Sequence, residues 1–243
     1  MRAMTFHIYC RILAYIVTIV MHASNVVVMM NSFHGEPMKN KEVRHFSEMQ
    51  VFFFTCWTFT FQTVYAAFGL YIDILTLKKS KSTAYKLPKL LVDCRDTFFN
   101  IFVWPCTVLV FVIFWPFFYY DRSLFFPQDI DLAISSTSNQ IMHAYILPLT
   151  LWEAFFRRRT MPKHHKLELV GVWLIAVTYF ATLFGVHAVK GVWVYPIFGI
   201  ISGSLLFYMF FVFIMALLPF IYYAQWAFNT TVWGSDEQLK KLH

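Results

Sequence analysis

The chain has 243 residues, of which 59% are hydrophobic and 14% are charged, and its formal net charge is +7. A soluble domain usually has about 25% charged and about 45–50% apolar residues, so this composition excludes an ordinary soluble globular protein. The basic residues lie in short tracts between apolar runs. That distribution favours loops at an anionic membrane surface and argues against a nucleic-acid partner.

Six apolar runs are long enough to cross a bilayer, which takes about 20 mostly apolar residues in a helix. In chain order the predicted spans are 8–31, 48–76, 97–120, 136–156, 168–189 and 197–228. They leave no room for a separate soluble domain. The sequence therefore predicts an all-α integral membrane bundle of about six transmembrane helices, with residues 1–243 forming one polytopic domain.

The distribution of Lys and Arg predicts the orientation. Fifteen of the 20 lie at the termini and in the predicted loops 77–96 and 157–167, and the others are Lys39, Lys41, Arg44, Arg122 and Lys190. Because cytoplasmic loops are rich in Lys and Arg, both termini are predicted to be cytoplasmic. The C-terminal run from Lys240 to His243 resembles a dilysine retrieval signal, which favours the endoplasmic reticulum or another endomembrane over the plasma membrane.

Several ionisable side chains fall inside the predicted spans, where each costs about 2.5–3.5 kcal/mol on insertion scales and so needs a role. They are His22, Asp73, His143, Glu153 and His187. We expect Asp73 to face the cytoplasmic rim near Lys78 and Lys79. We expect Glu153 to pair with the Arg157–Arg159 run one helical turn later.

Polar side chains from three spans are predicted to share one layer in the outer half of the bundle. Thr55 lies roughly 10 Å below the outer end of its span at about 1.5 Å per residue, and His143 and His187 fall at a similar depth. A Thr hydroxyl needs an adjacent base to act as a nucleophile, and a neutral imidazole suits that role. One hypothesis is a Thr55–His143 dyad, with His187, Trp193 or Tyr195 orienting the base or stabilising an oxyanion.

A structural role is the alternative for each of these residues. A Thr in a membrane helix usually bonds to the carbonyl four residues earlier, and a lone His usually bonds to a neighbouring helix. Trp193 and Tyr195 equally suit an interfacial aromatic belt. A two-haem cytochrome would need four paired histidines, and no metal or nucleotide motif is present, so no cofactor or metal is predicted.

Three stretches, 55–65, 139–148 and 186–196, together resemble the androgen-induced-gene family, most specifically in the Gly-x-Trp-Val-Tyr-Pro run at 191–196. The resemblance implies a multi-pass membrane threonine hydrolase that cleaves fatty acid esters of hydroxy fatty acids without a metal. It places the family's Thr at Thr55 and its His at His143, with Asn139 as a further candidate for orienting the base. The competing hypothesis is a non-catalytic membrane protein that binds or transports lipid or regulates a partner.

Overall fold

The structure is a computed structural model that describes residues 2–79 and 87–234, and these residues form helices and turns with no strand among them. The helices are α1 (Arg2–Ser32), α2 (Lys41–Met49), α3 (Phe54–Lys79), α4 (Lys89–Phe98), α5 (Trp104–Asp121), α6 (Ser136–Gln140), α7 (Ile146–Phe156), α8 (Lys166–Lys190), α9 (Pro196–Ile201) and α10 (Leu205–Trp233). The predicted all-α class is confirmed. The loop residues Lys81 and Lys86 and the dilysine pair Lys240 and Lys241 lie outside the described residues.

Five helical segments have the length and apolar composition needed to cross a membrane, and these are Thr5–Ser32, Phe54–Lys79, Lys89–Leu124, Lys166–Lys190 and Leu205–Trp233. A sixth run, 136–156, joins α6 to α7 through one π-helical turn at Ile141–Tyr145. Large apolar side chains point outward, including Leu174 at 59% exposure and Phe220 at 74%. Because hydrocarbon is the solvent that tolerates such a surface, the chain is a multi-pass membrane protein.

Several span boundaries differ from the sequence prediction, and the third span begins at Lys89 and not at residue 97. The second span begins at Phe54 and not at residue 48, because the preceding residues form α2 and a 3-10 turn at Gln50–Phe52. The Asn40 side chain caps α2 by accepting from the Glu42 and Val43 N–H groups. The predicted last span, 197–228, is divided into α9 and α10 by a turn that contains Gly203 at a φ of 78°.

One end of the bundle is covered by the connections 33–53, 122–135 and 191–204, and we name it the capped end. Aromatic side chains fill the space beneath these connections. Phe53 stacks on Phe46 with ring centroids 4.6 Å apart, and Phe126 lies against Phe114 at 6.2 Å. The capped end therefore has its own apolar core, separate from the one in the middle of the bundle.

The opposite end, where α3 ends and α4 begins, is the basic end, and it holds a buried network of charges. Asp73 is 2% exposed and pairs with Arg11 at 2.8 Å and with Arg95 at 2.9 Å. The expectation that Asp73 faces the rim near Lys78 and Lys79 is therefore wrong, since two arginines from other helices neutralise it inside the bundle. Pairing of this kind is what allows a carboxylate to be buried.

Glu153 joins the same network from α7. Its carboxylate lies 3.6 Å from Arg157, as the one-turn spacing predicts, and 3.3 Å from Arg95. The hydroxyls of Tyr15 and Tyr65 each donate to it at 2.5 Å. These contacts tie four helices, α1, α3, α4 and α7, to one another at the basic end.

The close approach of α1 and α3 depends on a glycine. A Cβ at Gly69 would lie 2.7 Å from the Tyr15 ring, which is closer than side chains pack. The absence of a side chain there brings the Tyr15 ring over α3 and its hydroxyl to Glu153. The helix pair in turn sets the position of α3, which begins at the capped end with Phe54 and Thr55.

Candidate active site

The structure brings Thr55 and His143 together. The Thr55 Oγ1 lies 3.2 Å from the His143 Nε2, although the two residues are 88 positions apart in the chain. Thr55 belongs to the first turn of α3, and His143 to the π-helical turn between α6 and α7. His143 is 6% exposed and Thr55 is partly exposed. The hydroxyl is therefore within hydrogen-bond reach of the imidazole just beneath the capped end.

The second ring nitrogen of His143 determines which tautomer is present. Its Nδ1 lies 3.1 Å from the backbone carbonyl oxygen of Asn139, one turn earlier on the same helix. A carbonyl oxygen only accepts, so Nδ1 carries the proton and donates it. The Nε2 lone pair is then directed at the Thr55 hydroxyl. This is the arrangement that a general base requires.

The position of Thr55 in its helix leaves its hydroxyl free to donate to His143. Later threonines of α3 donate to the carbonyl four residues earlier, as Thr58 does to Phe54 at 3.1 Å and Thr60 does to Cys56 at 2.9 Å. Four residues before Thr55 the chain is not yet in α3, so no helical carbonyl faces that hydroxyl. The usual structural role of a membrane threonine is therefore absent at Thr55 alone among the threonines described in α3.

The His143 ring is held from both its face and its backbone. The Phe114 ring stacks on it at a centroid distance of 3.5 Å and an interplanar angle of 9°. The Trp115 Nε1 donates to the His143 carbonyl oxygen at 3.0 Å. His143 lies in a π-helical turn, and single π turns of this kind recur at functional sites. The imidazole is therefore fixed in one orientation toward α3.

The start of α3 is held by two tyrosines. The Phe54 N–H lies 3.0 Å from the Tyr179 hydroxyl and 3.1 Å from the Tyr195 hydroxyl, and the two hydroxyls are 2.9 Å apart. Burial raises the pKa of Tyr195, in the loop after α8, to about 12, so this phenol stays protonated at neutral pH. Tyr195 therefore positions the residue next to Thr55.

A cavity of about 110 Å³ opens beside the pair and runs into the middle of the bundle. Thr55 and His143 line its upper part together with Gln50, Tyr179 and Tyr195. Its deeper lining is apolar and includes Ile101, Pro105, Val172, Ala176, Ile214 and Leu218. None of the side chains lining it is Lys, Arg, Asp or Glu. The space suits an uncharged hydrocarbon chain and excludes a buried ionic group.

Two of the remaining predicted site residues make no contact with the pair among the described residues, and a third contacts it through its backbone. His187 and Trp193 stack on each other at 3.9 Å and 5°, and neither lines the cavity. No contact joins His187 to Thr55 in the described part of the chain, and their position in one layer of the bundle stays a prediction. Asn139 contributes its backbone carbonyl, while its side-chain oxygen has no partner among the described residues.

Sequence reasoning missed Gln50 and Tyr179, which both line the cavity. Gln50 falls within the predicted second span, because the apolar run 51–54 hides the end of α2. Asn40, a helix-capping residue before an amphipathic stretch, was the available signal. Tyr179 lies in an apolar span, and its role depends on a partner from another element. Among residues 2–79 and 87–234, no cluster of three His, Cys, Asp or Glu side chains has a metal-binding arrangement.

Comparison with known proteins identifies relatives over most of the chain. A family model described as FAR-17a/AIG1-like protein matches residues 11–228, which include Thr55 and His143. The human androgen-dependent TFPI-regulating protein is 30% identical over 183 residues, covering 74% of this chain and 76% of that protein. The human androgen-induced gene 1 protein is 26% identical over 169 residues, 70% of each chain.

Other matches are shorter. The golden hamster (Mesocricetus auratus) androgen-dependent TFPI-regulating protein is 32% identical over 126 residues, which cover 50% of this chain and 53% of the hamster protein. The matched stretch thus spans about half the length of that relative. No solved structure matches the chain. The extent of the family match confirms the resemblance seen in the sequence, and the chain belongs to the FAR-17a/AIG1-like family.

Proposed function

We propose that the chain is an intramembrane lipid ester hydrolase that cleaves fatty acid esters of hydroxy fatty acids, with Thr55 as nucleophile and His143 as base. One observation carries the proposal. The Thr55 hydroxyl lies 3.2 Å from an imidazole nitrogen whose lone pair faces it, at the mouth of an apolar cavity. A nucleophile, a base oriented by a third group and a binding space are the parts that ester hydrolysis by covalent catalysis needs.

The apolar lining of the cavity supports a neutral ester with an apolar acyl arm. Tyr179 of α8 contacts the start of α3, and Val172 lines the deeper part of the cavity seven residues earlier on α8. At about 1.5 Å per residue the cavity therefore extends roughly 10 Å below Thr55. An acyl chain placed there brings its ester group to the Thr55–His143 pair. The more polar hydroxy acid portion stays toward the capped end.

The reaction proceeds in two halves. The Thr55 Oγ attacks the ester carbonyl carbon while its proton passes to the His143 Nε2. The resulting tetrahedral oxyanion collapses, the bond to the hydroxy acid oxygen breaks, and that oxygen takes the proton from His143. Water then attacks the acyl-threonine with His143 again as base, which releases the fatty acid and restores the Thr55 hydroxyl.

The proposal includes an orientation in the bilayer, which rests on the distribution of Lys and Arg. The basic end carries most of the Lys and Arg and faces the cytoplasm, so both termini are cytoplasmic. Water reaches Thr55 from the capped end, on the luminal or extracellular side. The endoplasmic reticulum is the proposed compartment, and a protease-protection assay on a C-terminal tag tests the orientation. Protection of that tag in sealed microsomes whose cytoplasmic face is outward contradicts this orientation.

The experiment that tests the function compares Thr55 variants of the purified full chain in detergent. We expect wild type and Thr55→Ser to release fatty acid from a branched ester lipid, and Thr55→Ala to release none. Thr60→Ala is the matched control, because this hydroxyl lies one turn later, is exposed and donates to the backbone. A hydrophobic fluorophosphonate should label every variant except Thr55→Ala.

The competing function is a non-catalytic lipid-binding, transport or regulatory protein that holds an acyl chain in the same cavity. The assay separates the two. If Thr55→Ala hydrolyses the ester as fast as wild type, the covalent mechanism fails. If neither form hydrolyses any ester while both retain a bound fatty acid, the lipid-binding function is favoured.

A further inference from the structure

An ester carbonyl that is attacked by Thr55 becomes an oxyanion, and this oxyanion needs hydrogen-bond donors close to Thr55. Most polar groups around the cavity are already committed. The Nδ1–H of His143 donates to Asn139, and the hydroxyls of Tyr179 and Tyr195 bond to each other and to the start of α3. The deeper lining is apolar. The hydrogen-bond donor for the oxyanion therefore has to be an N–H or O–H group that has no other acceptor.

Gln50 provides such a group. It belongs to the 3-10 turn just before α3, and it lines the cavity with Thr55 and His143. Its amide nitrogen, Nε2, is buried and has no hydrogen-bond partner among the described residues. A buried amide donor without a partner is destabilising, so its retention beside a cavity points to a ligand that accepts from it.

The backbone beside Thr55 offers a second donor. At the start of α3 the Phe54 N–H bonds to the two tyrosines, and the Cys56 and Trp57 N–H groups bond to the Phe53 carbonyl at 3.0 and 3.4 Å. No hydrogen bond involves the Thr55 N–H within residues 2–79 and 87–234. This free N–H lies at the positive end of a 26-residue helix.

We propose that Gln50 is a further catalytic residue, whose side-chain amide, together with the Thr55 N–H, stabilises the oxyanion formed on the ester carbonyl. The proposal rests on the proposed function, because it assigns a role at the same site. In the first step the carbonyl electron pair moves onto oxygen as the Thr55 Oγ–carbon bond forms and the proton goes to His143. The two N–H groups donate to that oxygen until the carbonyl reforms, when the bond to the hydroxy acid oxygen breaks and that oxygen takes the proton back from His143.

The test uses Gln50→Leu and Gln50→Glu in the purified full chain, with Gln128→Leu as control. Gln128 is an exposed glutamine of the same capped end that does not line the cavity. We expect both Gln50 variants to lower kcat about 10²-fold, the loss typical of removing one oxyanion donor, with KM little changed. The control should match wild type.

A second measurement separates catalysis from packing. A long-chain trifluoromethyl ketone adds the Thr55 oxygen and forms an oxyanion, so its inhibition constant should rise by the same factor as kcat falls in each Gln50 variant. The dissociation constant of the product fatty acid should stay unchanged, because that ligand carries no tetrahedral oxyanion. A purely structural residue would weaken both ligands together.

The outcomes discriminate the two proposals. If kcat is unchanged in both Gln50 variants while Thr55→Ala is inactive, Gln50 has no catalytic role and the Thr55 mechanism stands. Equal weakening of the ketone and the fatty acid also overturns the Gln50 proposal. If Thr55→Ala is as active as wild type, both the Thr55 mechanism and the Gln50 proposal fail. Melting temperature and gel-filtration profile establish that each variant is folded, and the near-isosteric Gln50→Glu is the variant to use if Gln50→Leu is unstable.

Discussion

Among the described residues, two Thr–His pairs bridge helices of the bundle, and their geometries are nearly the same. The Thr55–His143 distance is 3.2 Å and the Thr63–His22 distance is 3.1 Å. Each imidazole also stacks on a phenylalanine, His143 at a centroid distance of 3.5 Å and His22 at 3.6 Å. A distance and an aromatic neighbour therefore do not distinguish a reactive pair from a structural one.

The two pairs differ in which residue donates the hydrogen bond between Thr and His. Thr63 donates its hydroxyl proton to the Phe59 carbonyl at 2.8 Å, so its oxygen accepts from the His22 Nδ1–H. Since that nitrogen carries a proton, it offers Thr63 no lone pair and cannot act as a base toward it. Neither residue lines the cavity. Thr55 lacks a carbonyl four residues earlier in its helix, and His143 has its other nitrogen fixed by Asn139.

The largest expected difference between the pairs is in catalysis. We expect His143→Ala to lower kcat/KM for a branched ester lipid by about 10²–10⁴-fold, the usual contribution of a general base. His22→Ala should stay close to wild type, because this ring donates to Thr63 and faces no cavity. Initial rates of fatty acid release by purified variants measure both. Equal losses in the two variants would remove the distinction.

The cavity beside the first pair predicts a change in substrate preference. Ala176 is 5% exposed and lines the deeper part of the cavity, so Ala176→Phe should shift preference from long to short acyl chains by about tenfold. Val177, the next residue, is 52% exposed on the outer surface, and Val177→Phe is the control. The ratio of kcat/KM for two chain lengths is the measurement. An unchanged ratio in Ala176→Phe means that the acyl chain lies elsewhere.

For the free energy of unfolding we expect the opposite: a substitution in the Thr63–His22 pair should cost more than one in the Thr55–His143 pair. His22 is 1% exposed and packs against Phe59, so His22→Ala should lower the free energy of unfolding by about 2 kcal/mol through the cavity it leaves. Thr55→Ala should change it by less than about 1 kcal/mol, because one partly exposed hydrogen bond is lost. Thermal unfolding in one detergent compares them. A greater loss in Thr55→Ala would contradict a purely structural role for the His22 pair.

The smallest effect is expected at the start of α3, where two tyrosine hydroxyls accept from the same Phe54 N–H. Tyr195→Phe removes one of two hydroxyls at the Phe54 N–H, and the Tyr179 hydroxyl remains at 3.0 Å. We expect kcat to fall by about two- to tenfold, the equivalent of one net hydrogen bond. Tyr208→Phe, at an exposed position of α10, is the control. A loss as large as that of His143→Ala would place Tyr195 in the chemistry itself.

Hydropathy and residue spacing were sufficient to predict the helical membrane class and the Glu153–Arg157 pair, because these depend on local composition and on contacts one turn apart. The ends of spans at the capped end were not predictable in this way. The apolar run 51–54 looks like a continuation of the membrane helix, yet it includes the turn before α3. The Asp73 partners were also missed, since Arg11 and Arg95 come from helices distant in the chain.

Amino-acid composition was enough to predict that this protein spans a bilayer, and its family resemblance identified Thr55 and His143 as candidates. Three features could be seen only in the folded molecule: Thr55 lies in the first turn of its helix, His143 directs its unprotonated nitrogen at it, and a cavity opens beside them. The physical reason is that hydrophobicity is a property of each segment. The direction of a proton depends on which groups from different helices meet, and no single segment contains that information.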